Sequence, residues 1–229
     1  MQRLLNYFTK FEIGLWSGSI LAILFSFCIF DRENYLALVA SFVGATFLIF
    51  NAKGNPIGQF LTIVFSILYG IISYSFSYYG EMITYLGMTL PMASFALVSW
   101  LKNPYNNNKS EVKVNKLSMC EFAFMLLLTV IVTVVFYFVL KYFNTTNIIP
   151  STFSVTTSFL AVYLTYRRSP YFALAYALND LVLIILWILA SITDISYLSV
   201  VICFIVFLVN DMYGFINWKQ MQKRQKFNM

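Results

Sequence analysis

The chain has 229 residues, of which 60% are hydrophobic, 19% are aromatic and only 10% are charged. A soluble globular domain carries about 25% charged residues, so this composition excludes a water-soluble fold and requires lipid as the solvent for much of the chain. The net charge is +6 and there is no histidine, which removes the commonest general base and the commonest metal ligand.

Eight apolar stretches are long enough to form membrane-spanning helices, which need about 20 residues each. In chain order they cover residues 13–30, 34–51, 56–76, 80–101, 119–142, 151–166, 170–191 and 195–217. The connections are short, except for a polar loop after residue 102, so consecutive helices are expected to pack antiparallel in one bundle. The sequence therefore predicts an all-α polytopic membrane protein with about eight transmembrane helices.

The basic residues predict how these helices are oriented in the membrane. With eight spans, every Lys and Arg except Arg32 and Lys141 falls on the side that holds both termini. Because Lys and Arg are enriched in cytoplasmic loops, we predict a cell-membrane protein with both termini in the cytoplasm. We interpret the basic segment at 219–229 as a topology signal that contacts lipid headgroups, and we expect no nucleic-acid partner.

Short motifs recur at similar offsets in the two parts of the chain. The recurring pairs are Ser41-Phe42 with Ser158-Phe159, Asn55-Pro56 with Ser169-Pro170, and Trp100 with Trp218. They predict two parallel three-helix repeats joined by a linker helix, an architecture that places a transporter's substrate site at the repeat interface. The predicted units are an extra N-terminal helix (1–33), a first repeat (34–102), a cytoplasmic loop with the linker helix (103–150), a second repeat (151–218) and a basic tail (219–229). The two tryptophans lie beside lysines at helix ends, which is typical of interfacial anchors.

Two Asn-Asp pairs lie within predicted helices, where ionisable groups are costly and are functional by default. Asn179 and Asp180 lie near the middle of the seventh helix, and Asn210 and Asp211 lie near the end of the eighth. We expect the first pair and Asn210 to bind a hydroxylated substrate, and Asp211 to do the same or to form a gate. The alternative is that these side chains only join helices through hydrogen bonds.

Further candidates lie on the faces of the predicted helices. The aromatic candidates for stacking on a flat or cationic ring are Tyr176, Trp187 and Tyr213. Gln59 in the third helix is a candidate hydrogen-bonding partner for the substrate. Pro91 lies inside the fourth helix, where it removes a backbone hydrogen bond and predicts a hinge for gating.

The chain resembles the PnuC family of vitamin-related transporters over nearly its whole length. The resemblance rests on the helix layout, the turn Asn55-Pro56-Ile57-Gly58, the pair Asn179-Asp180, and Asn210-Asp211-Met212-Tyr213-Gly214 with Asn217-Trp218. It implies an architecture similar to the SWEET sugar transporters, facilitated diffusion of a nucleoside-like substrate, a homotrimer, and trapping of the substrate by a separate intracellular kinase. It also implies that Asp180 and Tyr176 lie near the ligand.

The sequence departs from the nicotinamide riboside members of that family at two places where those members have tryptophans. Asn55 stands in the turn before the third helix, and Ala173 and Tyr176 stand where those members have a W-x-x-W box. We therefore predict a passive importer of nicotinamide riboside or a closely related nucleoside, with deoxynucleosides, thiamine and riboflavin as alternatives. A structural assembly protein is the alternative from another class. Neither a nucleotide-binding loop nor a nucleophile motif is present, so we expect no enzyme activity and no cofactor or metal.

Overall fold

The computed structural model describes residues 7–75, 78–145 and 147–227, and within these ranges it contains eight long helices. In chain order they are α1 (Lys10–Phe30), α2 (Tyr35–Ala52), α3 (Pro56–Ser75), α4 (Tyr79–Lys102), α5 (Met119–Tyr142), α6 (Ile148–Tyr166), α7 (Phe172–Ser191) and α8 (Leu198–Phe227). A 3₁₀ turn at Ile195–Tyr197 leads into α8. All eight are long and apolar enough to cross a membrane, which confirms the predicted all-α fold.

Two helices begin with the same capping arrangement. At the start of α1 the Thr9 side chain accepts the Glu12 backbone N–H, and the Glu12 carboxylate accepts the Thr9 N–H. Ser118 and Glu121 repeat this reciprocal pair at the start of α5. A capping box satisfies two backbone donors that would otherwise lack partners, so α1 begins at Lys10, ahead of the predicted residue 13.

The fourth helix is irregular in the way that its proline predicts. Its α-helical start, Tyr79–Ile83, leads into a π-helical segment at Thr84–Thr89 before α-helical structure resumes at Leu90–Lys102. Pro91 has no backbone N–H, and its ring crowds the carbonyl one turn earlier, so the regular hydrogen bonding is lost on its N-terminal side. The interruption places a local distortion inside a membrane span.

Six of the helices form a closed ring. Around it, α2 packs on α3, α3 on α4, α4 on α6, α6 on α7, α7 on α8, and α8 again on α2. The two remaining helices lie outside the ring, α1 against α2 and α8, and α5 against α6. The starts of odd-numbered helices and the ends of even-numbered helices meet at one end, which we call the basic end because Lys53, Arg167 and Arg168 lie there.

Two tryptophans close the ring through equivalent hydrogen bonds. The Trp100 indole N–H donates to the Thr165 carbonyl (2.9 Å), which joins the end of α4 to the end of α6. The Trp218 indole N–H donates to the Asn51 carbonyl (2.7 Å), which joins α8 to the end of α2. Both side chains are fully buried, so the interpretation as interfacial anchors was wrong. The last carbonyls of a helix lack intrahelical partners, and each indole supplies a donor to one of them.

The helices outside the ring also correspond to each other. Glu12 of α1 forms an ion pair with Lys53 after α2 (3.0 Å), and Glu121 of α5 forms an ion pair with Arg167 after α6. Together with the matching capping boxes, these contacts make α1 the counterpart of α5. We call α1–α4 and α5–α8 the two halves of the chain. Helices α1 and α5 make the same contacts at the basic end, but α1 also packs against α8, whereas α5 packs mainly on α6.

The same contacts fix the register between the halves. Lys53 corresponds to Arg167, and α2 and α6 end one residue before them, at Ala52 and Tyr166. In this register Ser41-Phe42 corresponds to Val155-Thr156, three residues away from the sequence match with Ser158-Phe159. That match was therefore out of register, because serine and phenylalanine are common on these helix faces.

The predicted polar loop and basic tail are ordered against each other at the basic end. Strands Pro104–Tyr105 and Asn108–Val112 form a hairpin, with Asn106 and Asn107 at positive φ (48° and 60°) in its turn. The Gln225 side chain binds the Val112 carbonyl (3.0 Å) and accepts the Val114 N–H (2.8 Å). Helix α8 continues to Phe227, so residues 219–227 of the predicted tail are helical, and the last two residues lie outside the described ranges.

Candidate functional site

Two acidic side chains meet inside the ring, midway along the helices. Asp180 of α7 and Asp211 of α8 are only 4% and 5% exposed. Their carboxyl groups lie within hydrogen-bonding reach of each other. Packing of α7 along α8 brings together two residues that the sequence placed in separate Asn-Asp pairs. A buried pair of carboxyls is costly, so the surrounding structure must hold it in place for a reason other than stability.

The neighbouring Asn179 is surrounded by hydroxyl groups of α6. Its side-chain oxygen accepts hydrogen bonds from Thr157 (2.9 Å) and Ser158 (3.0 Å), and the Ser154 hydroxyl lies 3.5 Å away. Three hydroxyl groups of α6 are therefore directed toward α7. Together with the two carboxyls, these groups form what we call the central polar layer.

Glu81 is a third buried acid, and it was not among the residues predicted from the sequence. The structure places it in the first turn of α4 with its side chain buried, 2% exposed, and within hydrogen-bonding reach of Ser154. One signal could have found it: Glu81, Thr84, Tyr85 and Met88 share one helix face, and all four are buried. Glu81 is thus directed inward, toward the central polar layer.

A cluster of aromatic side chains closes the ring on the far side of the central polar layer, away from the basic end. We call it the outer aromatic cluster, and it consists of Tyr69, Tyr78, Tyr85, Trp187 and Tyr197. The ring centroids of Tyr69 and Tyr85 lie 4.4 Å apart, and the Trp187 indole N–H donates to the Tyr69 hydroxyl (2.9 Å). Trp187 is fully buried, so no gap is open beside it.

A second cluster closes the ring on the side of the basic end. We call it the inner aromatic cluster, and it consists of Trp100, Phe172, Tyr176 and Trp218. The centroids of Trp100 and Trp218 lie 5.4 Å apart, and Phe172 lies 4.9 Å from Trp218. Because Trp100 and Trp218 come from the equivalent helices of the two halves, this cluster forms where the halves meet.

The two predicted aromatic residues of α7 therefore belong to different clusters. Tyr176 lies in the inner cluster and Trp187 in the outer one, about 16 Å apart along α7 at 1.5 Å per residue. They bracket the central polar layer from its two sides. A substrate bound beside Asp180 would have one ring toward each side of the membrane, and both clusters are closed around it in this structure.

Three of the predicted binding residues donate hydrogen bonds to residues outside the central polar layer. The Gln59 amide donates to the Asn51 side-chain oxygen (2.8 Å), near the basic end. Asn210 donates to the Ser19 hydroxyl (2.9 Å) and Tyr213 to the Glu12 carboxylate (2.9 Å), both on α1. These hydrogen bonds join neighbouring helices, and the role of the three residues as substrate ligands stays a prediction. Pro91 lies at the π-helical distortion, and its role as a hinge likewise stays a prediction.

The arrangement suits recognition of a small polar molecule and not covalent chemistry. Carboxylates, an amide and hydroxyls at the central polar layer can bind sugar hydroxyls, and the flanking rings can stack on a heterocycle. Within the described ranges, no group of three or more Cys, Asp and Glu side chains is placed to hold a metal ion. The central polar layer thus holds several kinds of hydrogen-bonding group between two aromatic clusters.

Comparison with known proteins agrees with this geometry. The family model described as nicotinamide mononucleotide transporter matches residues 34–220. The nicotinamide riboside transporter PnuC of Neisseria mucosa is 26% identical over 97% of this chain and 86% of its own length. Its namesake from Haemophilus influenzae is 25% identical over 84% of this chain and 82% of its own length.

A solved structure shows the same fold. The crystal structure of the vitamin B3 transporter PnuC superposes with a TM-score of 0.81 at 24% identity, covering 95% of this chain and 94% of that one. The family match spans α2 to α8 and includes both halves of the ring. The chain therefore belongs to the nicotinamide mononucleotide transporter family, as the resemblance to PnuC predicted, and is a multi-pass membrane transporter and not an enzyme.

Proposed function

We propose that this transporter mediates facilitated diffusion of nicotinamide riboside, or a closely related nucleoside, into the cell. The observation that carries the proposal is the central polar layer, which is buried between two closed aromatic clusters where the halves of the molecule meet. A substrate site at the interface of two parallel repeats is the arrangement expected of a transporter. The names of the relatives supply the choice of nicotinamide riboside.

The proposed site binds the two parts of the substrate with different groups. Asn179 and Asp180 bind the ribose hydroxyls or the carboxamide, and Tyr176 or Trp187 stacks on the ring. Gln59, Asn210 and Tyr213 would join only after the helices rearrange, because their hydrogen bonds now go to neighbouring helices. Since the clusters lie on opposite sides of Asp180, opening one while the other stays closed would expose the site to each side in turn.

The proposed orientation assigns one end of the ring to each side of the membrane. The basic end, with both termini, is assigned to the cytoplasm because Lys and Arg are enriched there. The chain has no nucleotide-binding loop, so the proposal is passive movement down a gradient, with a separate kinase trapping the substrate by phosphorylation. The homotrimer is likewise part of the proposal and rests on the family resemblance.

Titration calorimetry of the detergent-purified, full-length protein tests the substrate. The ligands are nicotinamide riboside, thymidine, deoxyadenosine, thiamine and riboflavin, because the tryptophans at the positions of Asn55 and Ala173 are missing. We expect micromolar binding of nicotinamide riboside and uptake of the same compound by proteoliposomes. Binding of one of the other compounds instead would change the proposed substrate but would still support a transporter. Uptake that requires a proton or sodium gradient would contradict facilitated diffusion.

A further inference from the structure

Three acidic side chains lie inside the ring, from the outer aromatic cluster to the central polar layer, along what we call the path through the ring. Glu81 lies toward the outer aromatic cluster, and Asp180 and Asp211 lie in the central polar layer; all three are almost fully buried. No lysine or arginine of the described residues pairs with any of them. The three ion pairs among the described residues involve Glu12, Glu111 and Glu121, and all three lie at the basic end. A buried carboxylate without a cation is among the least favourable groups in a protein.

Two of the buried carboxyl oxygens also lack hydrogen-bond partners. Glu81 Oε2 and Asp180 Oδ2 are enclosed, yet no donor in the described part of the chain reaches either atom. Buried polar atoms are normally satisfied, and each exception calls for an explanation such as a ligand absent from the structure. Unsatisfied acceptors at two positions along one path indicate a ligand that brings donors or positive charge.

The side chains beside these acids also favour a cation. Tyr85 lies close enough to both Glu81 and Asp180 to interact electrostatically with each carboxyl. Its ring packs on Tyr69, and aromatic faces attract cations. Ser154 links Glu81 to the central polar layer, because its hydroxyl lies within reach of Glu81 and 3.5 Å from the Asn179 oxygen. Tyr85 and Ser154 therefore lie between Glu81 and the central polar layer.

We propose that Glu81, together with the Asp180–Asp211 pair, recognises the positive charge of the substrate, so that the path selects a cation over a neutral molecule of the same shape. This inference rests on the proposed function and specifies its chemistry. Nicotinamide riboside carries a permanent positive charge on its pyridinium ring, whereas deoxynucleosides and riboflavin are uncharged. Glu81 meets the ring nearer the outer cluster, and the acidic pair compensates the same charge at the central polar layer.

The test uses two ligands that differ in charge but hardly in shape. These are nicotinamide riboside and its reduced, uncharged dihydropyridine form, measured by calorimetry with the full-length protein. We expect the wild-type protein to bind the cation at least tenfold more tightly than the reduced form. Glu81→Gln should weaken cation binding about tenfold and change binding of the neutral form by less than about twofold. Glu33→Gln, at an exposed acid of the α1–α2 connection, is the matched control and should change neither affinity.

Each other outcome has a defined meaning. An equal loss of both ligands, or no loss of cation binding in Glu81→Gln, would overturn the assignment of Glu81. If that variant is not monodisperse, Asp180→Asn measured with the same two ligands must show the same selective loss, or the inference fails. If the wild-type protein binds both forms equally, charge recognition is contradicted but the proposed function is not. A wild-type protein that binds none of the nucleosides or vitamins contradicts the proposed function.

Discussion

The two halves of the molecule share their supporting contacts but not the side chains at the centre. Trp100 and Trp218 make the same bond to a helix end, and Glu12 and Glu121 make the same kind of ion pair. The central residues are not repeated in this way. In the register set by these contacts, Asp180, Asp211 and Trp187 correspond to Ser66, Ala93 and Ser73.

This difference separates the requirements of the fold from those of the ligand. Each helix end has the same unsatisfied carbonyls in both halves, so the same solutions serve twice. A nucleoside has a ring at one end and a sugar at the other, so a site that fits it cannot be symmetric. The acids and hydroxyls therefore come mainly from α6, α7 and α8, whereas the first half contributes Glu81 and most of the outer rings.

The largest effect on uptake should come from removing the polar side chains of α7, in the second half, which contributes most of the central polar layer. The double substitution Asn179→Ala with Asp180→Ala removes the amide and one carboxylate, and we expect proteoliposome uptake to fall about 100-fold. Ser66→Ala at the position corresponding to Asp180 is the matched control and should change uptake less than about twofold. Full uptake by the double variant, with normal elution on size exclusion, would contradict the assignment of the site.

The two ion pairs should differ in their contribution to stability despite their equivalent positions. The Glu12 side chain is 2% exposed and also accepts the Tyr213 hydroxyl, whereas the Glu121 side chain is 34% exposed. We expect Glu12→Gln to reduce stability by about 2 to 3 kcal/mol, because it leaves Lys53 unpaired in a mostly buried place. Glu121→Gln should cost about 0 to 1 kcal/mol. Denaturant titration in detergent measures both, and equal losses would show that burial does not separate the pairs.

The two tryptophan contacts should, in contrast, be equally important. Replacing either indole by phenylalanine removes the donor to a buried helix-end carbonyl, and we expect each change to cost about 1 to 2 kcal/mol. Thermal unfolding of Trp100→Phe and Trp218→Phe, compared with the wild-type protein, measures the loss. A stability change in only one of the two variants would mean that the two hydrogen bonds contribute unequally to stability.

The smallest effect should come from the helix that is distorted in one half only. Pro91 follows the π-helical segment of α4, whereas α8 is α-helical from Leu198 to Phe227. Pro91→Ala would allow α4 to regain regular hydrogen bonds, and we expect slower uptake, by about threefold, with unchanged affinity. Calorimetry and initial uptake rates separate the two quantities. A change in affinity without a change in rate would argue against a hinge.

Several features of the site could be predicted from the sequence, and others could not. Asp180 was identified because a carboxylate in the middle of an apolar run is rare and costly, whichever way the helices pack. Glu81 was missed because an acid in the first turn of a helix usually faces water. Tyr213 and Trp187 were grouped with the polar pairs by helix face alone. Their partners, Glu12 and Tyr69, come from helices far away in the chain, and no spacing rule relates them.

The sequence by itself determined that this protein lies in a membrane and that eight of its segments are long and apolar enough to cross it. Hydropathy and charge act locally or through the bilayer, so they are readable without a fold. Only the tertiary structure showed that Trp100 and Trp218 are buried and donate hydrogen bonds to the ends of neighbouring helices. It also showed that α1 and α5 make matching contacts and that Asp180 meets Asp211. Each of these depends on which helix faces lie against each other in the ring, and that is set by packing among many residues at once.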